Sequence, residues 1–138
     1  MTVSMNLAFD GGCAEAFALY ASLLGGTVTF TLRYGDSPMA GTVPADWASR
    51  IAHSTLTLPD GSRLYGSDAA PGTYAAPRGF SLTANPPDVA TARAMFDALA
   101  EGGHVTQPLE ATFWAAAFGT VVDRFGIPWA INCEQPLS

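Results

Sequence analysis

Two glycine doublets, Gly25-Gly26 and Gly102-Gly103, each close an apolar helical stretch and open a β-branched one. Around each doublet the same order of patterns runs: a strand, a helix, then three strands. Leu19-Tyr20-Ala21 and Gly25-Gly26-Thr27-Val28 overlay on Phe96-Asp97-Ala98 and Gly102-Gly103-His104-Val105. Met5-Asn6-Leu7 overlays on Phe80-Ser81-Leu82, and Asp60-Gly61 on Phe125-Gly126. One such half leaves a sheet face bare, so two halves are expected to pack as a pair. The expected fold is α+β: paired βαβββ repeats forming an eight-stranded curved mixed sheet with helices outside. Its concave face is the natural ligand site.

The local patterns place the elements. Val3 to Phe9 reads as a strand. Cys13 to Leu24 is a helix by the spacing of Ala14, Phe17, Ala18, Ala21 and Leu24. Gly25 follows as a left-handed cap. Thr27 to Tyr34 is a strand. Gly35 to Pro44 is a loop serving as a lid or a dimer contact, with a turn of helix at Ala45 to Ser49. Ile51 to Leu58 and Arg63 to Ser67 form a hairpin around Pro59-Asp60-Gly61. The pattern restarts with a strand at Gly79 to Ala84. A helix starts at Asn85-Pro86-Pro87-Asp88, with proline in its first turn. Strands are predicted at His104 to Leu109, Thr112 to Asp123 (bent or bulged at Gly119) and Pro128 to Cys133. The 138 residues make one domain, with module 1 at about 1–68 and module 2 at about 78–134.

Charge narrows the partners. Charged residues are only 13% of the chain against 49% hydrophobic, which excludes a disordered segment. Twelve acids face six arginines and no lysine, a net charge of −6. Nucleic-acid binding is disfavoured by that sign, and the acidic balance favours a cationic ligand. Low charge with positive mean hydropathy points to apolar surface covered by a second copy of the chain, a homodimer. No apolar run approaches the roughly 18 residues that span a bilayer, so no membrane partner is expected. Met1-Thr2-Val3-Ser4 lacks the basic start of a signal peptide. Cys13 and Cys133 form no CxxC. A cytoplasmic setting fits.

Few residues carry reactive chemistry. Cys13 at a helix start could have a lowered thiol pKa, but a small buried packing role is the commoner use. Glu110 is the candidate catalytic acid or base, if burial raises its pKa. Trp114, Ala116 and Phe118 alternate onto one face of a regular strand. Trp114 and Phe118 are candidate ligand contacts, with Phe113 and Trp129 nearby. Ser67 and Asp68 end a strand before a loop and could point at a pocket mouth. Asp123 is more simply a turn residue.

Several separated motifs occur in the order of a known family. Thr112-Phe113-Trp114, Phe118-Gly119, Asp123, Phe125-Gly126 and Pro128-Trp129-Ala130-Ile131-Asn132 are the most specific. Gly12-Cys13-Ala14-Glu15-Ala16, Arg33-Tyr34-Gly35-Asp36 and Gly66-Ser67-Asp68 add weaker support. Together they resemble the PhnB-like subgroup of the vicinal oxygen chelate (glyoxalase/bleomycin resistance protein/dioxygenase) superfamily, over nearly the whole chain. The resemblance implies the paired βαβββ fold and a homodimer. Members often carry the name 3-demethylubiquinone-9 3-methyltransferase. Methyl transfer from S-adenosylmethionine commonly needs a glycine-rich turn from strand into helix, whereas these glycine doublets end helices.

Metal-dependent members of the superfamily place His, Glu or Gln on the first and last strands of each half. The corresponding positions are Met5 or Asn6, Tyr65 or Gly66, Ser81, and Ala130 or Ile131. None is His or Glu. The imidazoles, His53 and His104, fall on other strands and carry no metal-site spacing. The expectation is no tightly bound cofactor, although a weakly held divalent metal stays open. Asn6, Tyr65, Ser67, Ser81, Trp114 and Phe118 are then the candidate ligand-binding residues. The leading expectation is a metal-independent small-molecule binder. The alternatives are a lyase or isomerase of glyoxalase type, using a weak metal or Glu110, and a structural or regulatory dimer with a filled pocket.

Overall fold

The computed structural model describes residues 1–134. The chain divides into two compact units, residues 1–75 and a second beginning at Ala76. In the first are β1 (Met5–Phe9), α1 (Cys13–Leu24), β2 (Thr27–Arg33), β3 (Ile51–Thr57) and β4 (Arg63–Asp68). Short 3₁₀ turns at Tyr34–Asp36, Ala40–Thr42 and Ala45–Trp47 link β2 to β3. The second unit has β5 (Leu82–Ala84), α2 (Val89–Ala100), β6 (His104–Glu110), β7 (Ala115–Val122) and β8 (Pro128–Glu134). The chain is thus α+β with two βαβββ repeats, and the eight strands form two four-stranded sheets. The orders β1-β4-β3-β2 and β5-β8-β7-β6 are the same order twice. In each, the first strand pairs parallel with the last and the rest pair antiparallel. No helix among the described residues is long and apolar enough to cross a membrane.

The glycine doublets do what the repeat requires. Gly25 caps α1 at φ 68° and Gly102 follows α2 at φ 73°, a conformation that costs glycine little. The second glycine of each pair answers to space instead. A Cβ on Gly26 would lie 2.9 Å from the Thr57 carbonyl oxygen, and one on Gly103 would collide with that of Val122.

Each helix buries residues at i, i+3, i+4 and i+7: Cys13, Ala16, Phe17 and Tyr20 in α1, and Ala92, Met95, Phe96 and Leu99 in α2. Phe17 packs edge-on against Phe9 at 6.0 Å. Burying one such side chain stabilises by about 1.5–3 kcal/mol.

The registers shift part of the repeat overlay. Met5–Leu64–Leu56–Val28 runs across the first sheet, and Leu82–Trp129–Val121–Val105 across the second. Met5 therefore corresponds to Leu82, two residues later than the overlay on Phe80. A slip of two preserves the alternation of faces, so hydrophobic pattern alone does not detect it. The Asp60-Gly61 and Phe125-Gly126 match agrees with the registers, with Gly61 at φ 88° and Gly126 at φ 87°.

Other boundaries move for local reasons. β5 is only three residues long, shorter than the Gly79 to Ala84 strand expected. The prolines precede α2 rather than enter it, and Asp88 caps the helix by accepting from the Thr91 N–H at 2.7 Å. β7 begins at Ala115, not Thr112. The Thr112 hydroxyl accepts from the N–H groups of Trp114 and Ala115 and folds a turn there.

Candidate functional site

Directly paired residues share one face of a sheet. In the first unit Asn6 pairs with Tyr65, Tyr65 with Thr55, and Thr55 with Phe30. Leu7, Phe9 and Gly66 lie on the other face, where Gly66 meets Phe17 and Cys13 of α1. The face away from the helix thus holds Asn6, Ala8, Arg63, Tyr65, Ser67, His53, Thr55 and Phe30. A row of rings crosses three strands there. His53 lies 5.9 Å from Phe30 and 5.4 Å from Tyr65, ring centre to ring centre. Phe30 is 50% exposed, and His53 and Tyr65 are half-buried. A cleft of about 410 Å³, lined in part by Thr2, Ser4, Ser62 and Arg63, adjoins Tyr65.

The corresponding face of the second unit is smaller-chained. Thr83 pairs with Ala130, Ala130 with Thr120, and Thr120 with Gln107. Its aromatic group is at one end, where Trp114 stands 5.3 Å from Phe118 and 4.7 Å from Phe113. Phe118 pairs with Asn132, whose amide donates to the Asn85 side chain at 3.2 Å.

Among the sequence candidates, Asn6, Tyr65 and Ser67 come together on the first face, and Trp114 touches Phe118 in the second unit. Ser81 lies exposed ahead of β5, outside the paired strand, and Thr83 holds the position that corresponds to Asn6. Glu110 is exposed at the end of β6, across from Phe118. The burial that an acid/base role draws on is absent there.

Asp68 does not open onto a pocket mouth. It is 1% exposed, and its carboxylate accepts from the Cys13 N–H at 3.0 Å and the Ile51 N–H at 2.8 Å. Its carbonyl accepts from the Tyr34 hydroxyl at 2.7 Å. Burial, seconded by the Asp68 charge, pushes the Cys13 thiol up to about 12. The same two causes raise Tyr34 above the ordinary phenol range. Cys13 is thus a packing residue rather than an activated thiol. Trp129 is core, 3% exposed, and donates its indole N–H to Asp123 at 3.0 Å.

His53 and Phe30 were the residues that sequence reasoning missed. Counting back through the Asp60-Gly61 hairpin places Thr55 opposite Tyr65 and His53 one alternation further on, so His53 was legible. Phe30 was not. β2 is bulged between Val28 and Phe30, and a bulge resets which side chains share a face.

Comparisons with known proteins agree with this architecture. No protein-family model matches the chain. Protein YjdN of Escherichia coli K12 is 34% identical over 146 residues, covering 99% of both chains. The crystal structure of PA1353 from Pseudomonas aeruginosa superposes with a TM-score of 0.84 at 43% identity, over 98% of this chain and 100% of that one. A Bacillus cereus PhnB protein, named a putative 3-demethylubiquinone-9 3-methyltransferase, gives 0.82 at 21% identity, over 96% and 99%. A glyoxylase/bleomycin resistance protein/dioxygenase domain from Frankia sp. EAN1pec gives 0.66 at 13%, over 98% of each chain. The chain belongs to the family of Protein YjdN, and its fold is that of the PhnB and glyoxylase/bleomycin resistance protein/dioxygenase structures.

Metal-dependent members of the vicinal oxygen chelate superfamily, which the sequence motifs resemble, draw ligands from the first and last strands of each repeat. In this chain the registers put Asn6 and Tyr65 in one unit, and Thr83 and Ala130 in the other, at the paired positions away from the helices. An amide, a phenol, a hydroxyl and a methyl group are a poor donor set for a divalent transition metal. Among the described residues no three His, Cys, Asp or Glu side chains cluster as ligands. Gly25-Gly26 and Gly102-Gly103 follow helices, so neither forms the strand-to-helix turn of a nucleotide-type cofactor site.

Proposed function

We propose that this PhnB-like protein is a metal-independent binder of small molecules with a flat, apolar body. The observation that carries the reading is the Phe30–His53–Tyr65 ring row on the helix-free face of the first sheet. Exposed rings of this kind stack on planar ligands. Asn6 and Ser67 beside them supply polar atoms for orientation. Trp114 and Phe118 are a second aromatic contact. The working form is a cytoplasmic homodimer. In support of a homodimer, exposed apolar side chains sit on strands at sheet edges: Val28 on β2, and Val105 on β6.

Thermal denaturation with a panel of planar aromatic compounds tests the binding. A ligand at 100 times its Kd should stabilise by about 2.7 kcal/mol. Tyr65→Ala should abolish that gain, and Trp114→Ala should reduce it. A Tyr65→Ala protein that keeps the full shift would place the ligand elsewhere. Light scattering on the eluted protein checks the dimer, and a mass of 14.3 kDa would dismiss it.

A further inference from the structure

The net charge of −6 says nothing of the charge where the rings are. On the ring-bearing face of the first sheet, every strand position assigned by the registers is neutral or cationic. Asp68, the last residue of β4, points to the helix side. The acids beside the end of β1 and in the β3–β4 turn are both engaged. Asp10 follows β1 and pairs with Arg50 at 3.8 Å. Asp60, in the β3–β4 turn, accepts from both the N–H and the hydroxyl of Ser62, which holds its carboxyl below the usual range.

Arg63 opens β4 two residues before Tyr65, on the same face by alternation. Among the described residues it pairs with no carboxylate. It lines the cleft of about 410 Å³ that adjoins Tyr65, along with the hydroxyl residues Thr2, Ser4 and Ser62. The cleft lining contains no acid. An unpaired guanidinium, the Thr2 and Ser4 hydroxyls and an adjoining ring row make a composite surface: a charged end and a flat apolar end.

We infer that the ligand of this face is an aromatic anion. Its ring system lies on Tyr65, His53 and Phe30, and its anionic group sits against Arg63 in the cleft. A guanidinium meets a carboxylate through two parallel hydrogen bonds, and the Thr2 and Ser4 hydroxyls complete the anion's acceptors. The local donor set thus opposes the cationic ligand that the overall charge favours. This inference rests on the aromatic binding face proposed above.

Three probes of one shape separate the two ideas: 2-naphthoate, 2-naphthylmethanol and 2-naphthylmethylamine. Their affinities are read from amide chemical-shift titrations of the full chain, with shifts mapped to the strands around His53 and Tyr65. Naphthoate should bind at least about tenfold tighter than the alcohol, the worth of one charged hydrogen-bonded contact. The amine should bind weakest. Arg63→Gln should bring naphthoate to within about twofold of the alcohol. Tyr65→Ala should weaken all three. Equal affinities for the three probes, a preference for the amine, or an indifferent Arg63→Gln would overturn the anion inference and leave the aromatic face standing. No shifts at the face with any probe would overturn both.

Discussion

Asp68 in the first unit and Asp123 in the second are both almost fully buried, at 1% and 3% exposure. Asp68 spends its carboxylate on backbone N–H groups 55 and 17 positions away, tying the start of α1 to the start of β3. Asp123 reaches Phe125, Ile127 and the Trp129 indole, only 2, 4 and 6 positions ahead. The same chemical group closes a tertiary joint in one repeat and a local turn in the other. Repetition of the fold therefore does not carry repetition of its fastenings. A turn can relax toward water when its staple is lost, while a joint between a helix and a strand start has no substitute acceptor.

The largest effect should come from breaking the long-range joint. Asp68→Ala strands two buried N–H groups and loses two charge-assisted bonds, costing about 3–5 kcal/mol. Asp123→Ala should cost less, about 1–3 kcal/mol, because water reaches the neighbouring exposed Arg124. Urea unfolding of both variants measures the difference. An equal or reversed order would show that distance along the chain does not decide what a buried carboxylate is worth here.

The small residues under the helices sharpen the comparison next. Gly66 on β4 lies beneath α1, and Gly119 on β7 lies beneath α2. A Cβ on Gly66 would lie 2.6 Å from the Phe17 ring tip and 3.1 Å from the Cys13 sulfur. On Gly119 it would meet the Leu109 backbone at 2.8 Å as well as the Phe96 ring. Side chains can rotate away, whereas a strand must shift whole. Gly119→Ala should cost about 2–3 kcal/mol and Gly66→Ala about 1–2 kcal/mol. Thermal midpoints of the two variants check the order.

Gly119 also marks how far the sequence could be read. A bend was expected there, and the irregularity lies across the ladder, in β6 between Gln107 and Glu110. The repeat, both helices with their glycine caps, and all eight strands were legible because periodicity and turn chemistry are local signals. Three things were not. The two-residue slip of β5 leaves the face pattern unchanged. The Thr112 turn replaces strand with a side-chain hydrogen bond. The fate of Asp68 depends on an N–H group 55 residues away. The candidate site divides in the same way. Asn6, Tyr65 and Ser67 follow from alternation, but Phe30 joins them only through the β2 bulge.

The smallest effect concerns the charge that the first unit buries. Cys13 sits against Asp68, and burial with that charge lifts its thiol from 9.0 to about 12. The folded state therefore holds the proton where the unfolded chain has begun to release it. The stabilisation is complete below the unfolded value of 9.0 and is lost progressively as pH rises toward 12. Between pH 9 and 10 the wild-type protein should lose about 1 kcal/mol more than Cys13→Ala. Tyr34, raised by the same causes, is present in both proteins and cancels in the difference. Urea midpoints for the pair at pH 8, 9 and 10 make the measurement. Parallel pH curves would mean that Cys13 ionises as readily folded as unfolded. The Asp68 joint would then be open enough to admit water, contrary to the buried joint of the first unit.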